Sequence, residues 1–254
     1  MIILKTAREI EKIKIAGQVV GAILEELKNR VQPGVSTAEI DRWSDELIHK
    51  NRVKSAFKGY KGYAHHICTS INEEVVHGIP SKKRKLREGD IIGLDFGVVY
   101  DGYYADAAVT VGIGKISKEA ERLIRITEES LWKGIDQACI NKYLEDISYA
   151  VQSHVEKEGY SVVREFVGHG IGQSLHEDPA VPNYGEAGRG IVLKEGLVLA
   201  IEPMVNMGKP EVHILNDGWT AVTNDGSLSA HFEHTVAISS KGPEVLTYIG
   251  DDNA

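Results

Sequence analysis

The sequence has little cysteine, no broad field of positive charge and no apolar stretch of membrane length, and each shortage closes off a class of function. Cys68 and Cys139 are the only cysteines in 254 residues. Two are too few for a disulfide framework, and they lack metal-ligand spacing, which suits a reducing compartment. No apolar run approaches the ~20 residues that cross a bilayer, and Met1-Ile-Ile-Leu-Lys5 enters a charged helical pattern without an apolar signal core. A soluble, cytoplasmic protein with no membrane partner is expected. The formal charge is -8, and Lys and Arg cluster only at Lys82-Lys83-Arg84-Lys85, so nothing here could hold a phosphate backbone and nucleic acid is not an expected partner. There is also no Pro, Gly or Ser-rich linker, so residues 1–254 read as one domain.

What is present repeats. Thr6-Ala-Arg-Glu9 has capping-box spacing, followed at helical intervals by Ile10, Ile13, Val20, Ile23, Leu24 and Leu27 until Pro33-Gly34. Ser36-Thr-Ala-Glu39 opens a second helix carrying Ile40, Trp43, Leu47 and Ile48, and strands are expected from about Ala64 to Gly112. The order then recurs, with a helix from Ser117, another over about Asn141 to Gly159, and strands in the remainder. Two rounds of helix, helix and strands predict an α+β fold with an internal duplication, its halves roughly 6–115 and 116–245.

Ile91 to Val111 reads as a hairpin turning at Asp101-Gly102, a dipeptide that tolerates positive φ. With Tyr100 facing Tyr103, Asp95 faces Ala108 and Gly97 faces Asp106, which sets the two carboxylates on one face as diagonal neighbours. Such a pair could grip two cations, as dinuclear hydrolases do. Alternatively one aspartate faces solvent, or Asp106 caps a bulge. In the second half, His169 stands among glycines in Phe166-Val-Gly-His-Gly-Ile-Gly172. Pro179 and Pro182 forbid the long helix a dinucleotide loop would need. Glu202 and Glu233 lie inside apolar, strand-like runs that disfavour glutamate. Two aspartates, one histidine and two glutamates form a hard donor set suited to Mn, Fe, Co or Zn.

At this point the sequence resembles methionine aminopeptidases of the short type I class, within the pita-bread metallopeptidase family. The resemblance runs through Ser70-Ile-Asn-Glu-Glu-Val-Val-His-Gly-Ile-Pro80, the pair Asp95 and Asp106, Gly168-His-Gly-Ile-Gly172, Ile201-Glu-Pro-Met204 and Phe232-Glu-His-Thr235. It implies a pita-bread fold of two pseudo-symmetric halves, and two divalent metal ions held by Asp95, Asp106, His169, Glu202 and Glu233, with Asp106 and Glu233 bridging. It implies that His77 and His176 contact the substrate, that Glu202 also shuttles a proton, and that Phe57, Tyr60, Tyr63, Cys68, Leu175 and Trp219 form the methionine pocket. Leu175 stands where an aromatic is common in the family, and Phe57 where a smaller residue is common. Taken singly, Tyr60, Tyr63 and Cys68 could be ordinary core and Trp219 a surface anchor. His65, His66, His213, His231 and His234 match no catalytic position and read as structural or exposed.

The implied activity is removal of the initiator methionine from nascent polypeptides ahead of a small second residue, and the chain's own Met1-Ile2 start would then stay uncut. The expected state is a monomer in transient contact with the ribosome, the Lys82 to Lys85 run being a candidate for docking there or simply a solvated loop. Cleavage of Xaa-Pro peptides on the same fold and a non-catalytic peptide-binding module are the competing readings.

Overall fold

Thr6 and Ser36 start the first two helices by closing capping boxes: each hydroxyl accepts the backbone N–H of Glu9 or Glu39, while that glutamate accepts the cap N–H. The computed structural model, which describes residues 1–248, shows α1 over Ala7–Arg30 and α2 over Thr37–Asn51. Ser117 caps α3, Lys118–Ile135. The fourth helix, α4, spans Leu144–Lys157 and so begins later than the Asn141 expected from periodicity. Asn141 takes a left-handed φ of 68°, outside helical space, and Asp146 accepts the N–H of Tyr143 to set the true start.

Strands fill the remainder. In the main nine-stranded antiparallel sheet, Ile91–Tyr100 pairs with Tyr103–Gly112, and then follow in space Glu233–Ser239, Val198–Ile201, Gly168–Gly170 and Glu177–Val181. Lys54–Ser55 and Ile67–Ile71 pair with Ile91–Tyr100, and Gly242–Val245 with Glu233–Ser239. Two three-stranded sheets complete the layer, one of them built from Ser161–Val162, Met204–Asn206 and Ser229–His231.

The central hairpin decides where the site lies. Asp101 and Gly102 turn with φ of 45° and 82°, and the register runs from Tyr100 opposite Tyr103 to Ile91 opposite Gly112 without a shift. Asp95 therefore opposes Ala108 and Asp106 opposes Gly97, and no bulge underlies Asp106. Leu94, Phe96 and Val98 are fully buried in the core cluster that includes Ile13, Val20 and Leu27 of α1. Strand alternation then turns Asp95 and Asp106 to the opposite face. Each buried apolar side chain contributes about 1.5–3 kcal/mol, enough in sum to hold a register that forces carboxylates inward.

Candidate metal centre

The sheet order brings distant residues of the sequence together. Glu233 opposes Ala108, beside Asp106; His169 opposes Ala200; and Glu202 directly follows the strand Val198–Ile201. Glu202 thus lies in the break before Met204, not inside a continuous strand. Gly168 and Gly170 permit the close approach on which His169 depends, because a Cβ at either would collide with a carbonyl oxygen, that of Ala200 or Asp178. One donor atom each from Asp106, His169 and Glu233 lies within 4.8 Å of the others. The Nε2 of His169 is 3.6 Å from Asp106 Oδ2 and 3.5 Å from Glu202 Oε1.

Concentrated negative charge governs this cluster. Burial, above all, pushes the carboxyl groups of Asp95, Asp106, Glu202 and Glu233 upward. Repulsion from neighbouring carboxylates adds to it at Asp95, Glu202 and Glu233. Four clustered carboxylates facing the imidazoles of His169 and His231 are short of positive charge, and divalent cations would supply it. The imidazole is prepared for the same role: His169 Nδ1 lies 2.9 Å from the carbonyl of Gly170, which directs the Nε2 lone pair at the carboxylates. Hard oxygen donors with imidazole nitrogen suit a divalent ion such as Mn, Fe, Co or Zn, and Asp106, His169 and Glu233 form a group that could hold one.

Every residue assigned a site role from sequence lines one cavity of about 160 Å³. The carboxylates occupy one part, and Phe57, Tyr63, Cys68, Leu175 and Trp219 give an apolar wall. Phe57 and Leu175 are buried, and Trp219 packs edge-on against Tyr63 with centroids 4.9 Å apart, so it is no surface anchor. Burial raises the Cys68 thiol well above its ordinary range, leaving a neutral, weakly polar surface. His176 stands at the mouth, its ring 4.2 Å from that of His169 and stacked 5.2 Å from Tyr60. Enclosure by the cavity wall, then the neighbouring His169, Lys61 and His77, lowers its pKa. Burial likewise lowers His77, to about 4. Both imidazoles are neutral at pH 7, each with one N–H to donate.

Three residues of the site escaped sequence reading. Lys61 lines the cavity with its ammonium 5.3 Å from the Tyr60 ring. Thr235 Oγ1 accepts the backbone N–H of Asp106 and sits 2.8 Å from its carbonyl oxygen and 3.2 Å from Oδ1, fixing that aspartate. His231, read as structural or exposed, is buried with Nε2 3.6 Å from Glu202 Oε2 and without a hydrogen-bond partner. It ends the strand Ser229–His231, two residues before Glu233 begins the next.

The other unassigned histidines lie elsewhere. His213 is exposed and paired with Asn224, and His234 packs among Trp132 and Tyr248. His65 and His66 converge on Asp41, with His65 Nδ1 2.9 Å from Oδ2 and the His66 N–H donating to Oδ1 at 2.7 Å. Burial raises Asp41, but its hydrogen bonds to His66 and His65 outweigh that and bring it down to about 2. A carboxyl depressed on folding stabilises above its unfolded pKa, ~3.9, and that stability is lost as pH falls through the folded value. The urea-midpoint gap between wild type and Asp41→Asn should therefore be full at pH 5 and close as pH falls from about 4 toward 2; a gap that ignores pH would contradict it.

Comparison with known proteins agrees with this geometry. The sequence profile of metallopeptidase family M24 matches residues 11–240. A methionine aminopeptidase of Clostridium acetobutylicum is 54% identical over 247 residues, covering 97% of this chain and 99% of the relative. The crystal structure of a methionine aminopeptidase from Thermotoga maritima superposes with a TM-score of 0.97 at 48% identity, covering 98% of this chain and all of that one. A prolidase from Pyrococcus furiosus shares the fold at a TM-score of 0.77 and 22% identity, with 98% of this chain matching 66% of the prolidase. The mixed helical and curled antiparallel architecture is the pita-bread fold of these neighbours.

Proposed function

The chain belongs to metallopeptidase family M24, and from that membership we propose that it removes amino-terminal methionine with two divalent cations held by Asp95, Asp106, His169, Glu202 and Glu233. It is a hydrolase of the methionine aminopeptidase kind, as its high-identity relatives are. One observation carries the proposal: a carboxylate cluster and an apolar, aromatic-lined wall share a single cavity. Ligand positions come from both rounds of helices and strands, Asp95 and Asp106 from the first and the other three from the second, which supports one catalytic unit built of two related halves.

The cations, when bound, supply the Lewis acidity that makes water a competent nucleophile near neutral pH. The protein's own groups do the rest. The buried carboxylates fix where the attacking water and the free amine must sit. Glu202, which reaches both His169 and His231, takes the water's proton and passes it to the leaving nitrogen. Neutral His176 donates an N–H to the scissile carbonyl oxygen as charge develops there, and His77 holds the peptide beyond it. The wall from Phe57 to Trp219 takes an unbranched thioether, with Tyr60 packed beside His176.

A small second residue is expected from the family resemblance, in which the pocket beyond the scissile bond is narrow. Assayed with Mn after metal stripping, Met-Ala-Ser should be cleaved about 100-fold faster than Met-Leu-Ser in kcat/KM, and Ala-Pro-Ala should not compete. Faster cleavage of Ala-Pro-Ala would move the chain to the proline-peptide class; no cleavage with any metal would make it a binding module. Among the described residues no helix is long and apolar enough to cross a membrane. Cytoplasmic location, a monomeric state and transient ribosome contact complete the proposal. For that contact, Lys82, Lys83 and Lys85 are exposed and Arg84 is paired with Glu74.

A further inference from the structure

Lys5 is almost completely buried and outside any role assigned above. Its ammonium lies 2.6 Å from Glu177 Oε2, with the two side chains 3% and 11% exposed, and it also donates to the Ile3 carbonyl at 2.9 Å. The backbone N–H of Lys5 donates to Gly196 O at 2.7 Å, which anchors the segment independently. An exposed lysine pair would contribute little, whereas one drawn into the protein costs desolvation and fixes its partner closely.

What Glu177 fixes is the turn before it. Its second oxygen accepts the backbone N–H of Ser174 at 3.1 Å, closing a ring around Leu175 and His176. A second tether meets the same turn from the other side: Gln173 Nε2 donates to Tyr103 Oη at 2.9 Å, and Tyr103 donates to Glu9 Oε1 at 2.8 Å. Glu9 is itself held by the Thr6 cap. The His176 imidazole makes ring contacts but no side-chain hydrogen bond among the described residues, so its position is set by the turn that carries it.

We propose that the segment from Lys5 to Glu9 is a clamp on the turn 173–177, with Lys5 a positioning residue that acts through His176. The proposal rests on the assignment of His176 to the substrate carbonyl. A displacement of about 1 Å at such a group costs on the order of 100-fold in rate.

Lys5→Met, which keeps length and loses the ammonium, should lower kcat on Met-Ala-Ser by about 10- to 100-fold while KM changes little. Glu177→Gln should do the same. In a His176→Ala background, Lys5→Met should change kcat less than twofold, because the group it positions is gone. The ring cross-peaks of His176 in a long-range 15N–1H spectrum should shift in Lys5→Met while those of His213 stay in place. An undiminished loss of kcat in the His176→Ala background, or an unmoved His176 ring, would overturn the clamp. Should Lys5→Met fold poorly, Tyr103→Phe, which cuts the other tether, should shift the same cross-peaks, and an unmoved ring there would equally overturn it. The spectrum reads the clamp whether or not the protein cleaves methionine, so failure of wild type to cleave Met-Ala-Ser would reject the activity alone.

Discussion

Asp106→Asn and Glu233→Gln should each lower methionine release by at least about 1,000-fold, roughly 4 kcal/mol of transition-state stabilisation, while making the metal-free protein more stable. Both effects have one cause. The two residues are 3% exposed, and burial raises both carboxyl groups. Without cations the cluster is a set of like charges confined among apolar strands, a strained arrangement that an isosteric amide relieves. With cations the same charges are what retain them, and an amide retains less. Relief of about 1 kcal/mol would raise the metal-free midpoint by roughly 2–4 °C in a chain of this size. Calorimetry of stripped protein, elemental analysis after reloading, and Met-Ala-Ser turnover would be measured together. A variant that kept full metal content and turnover within tenfold of wild type would remove that residue from the proposed ligand set.

That trade between stability and function explains why parts of the site could be read from sequence. Asp95 and Asp106 are conspicuous because each interrupts an apolar strand, and the Asp101-Gly102 turn is local enough to fix their register. Glu202 and Glu233 stand out in a similar way, as charges within apolar runs of the sequence. The family resemblance supplied the pocket residues, whose types alone describe ordinary core. Thr235, Lys61 and His231 were missed for separate reasons. Thr235 is a common strand residue whose value lies in a contact with Asp106, 129 positions away. Lys61 lies in a short 3-10 turn flanked by Gly59 and Gly62, and neither helical nor strand periodicity directs its side chain. His231 matches no catalytic motif, and only the fold brings its Nε2 to 3.6 Å from Glu202 Oε2. The late start of α4 shows the limit of periodicity: hydrophobic spacing marks a helix's face, but a local backbone angle at Asn141 marks its beginning.

Glu202→Gln should separate holding cations from moving a proton. Glu202 is placed for both: Oε1 lies 3.5 Å from His169 Nε2 and Oε2 lies 3.6 Å from His231 Nε2. A glutamine keeps an oxygen donor of the same reach but cannot take a proton from water and deliver it to an amine. Loss of a positioned acid–base group costs about 10²–10⁴-fold, and it should fall on kcat, with KM for Met-Ala-Ser within about threefold of wild type. Metal content should stay closer to wild type than in Asp106→Asn, since the family resemblance gives a bridging role to Asp106 and not to Glu202. His231 bears on the same result: its Nε2 has no hydrogen-bond partner and is buried beside Oε2, so an amide there can meet it with either an oxygen or an NH₂ and need not be held in the carboxylate's orientation. Glu202→Asp tests the shuttle by length, retaining the charge and the proton-transfer chemistry but withdrawing the group by one methylene, and it should fall between wild type and Glu202→Gln. If Glu202→Gln retained kcat within tenfold while binding metal normally, proton transfer would belong to another group, with His176 and His77 next in line.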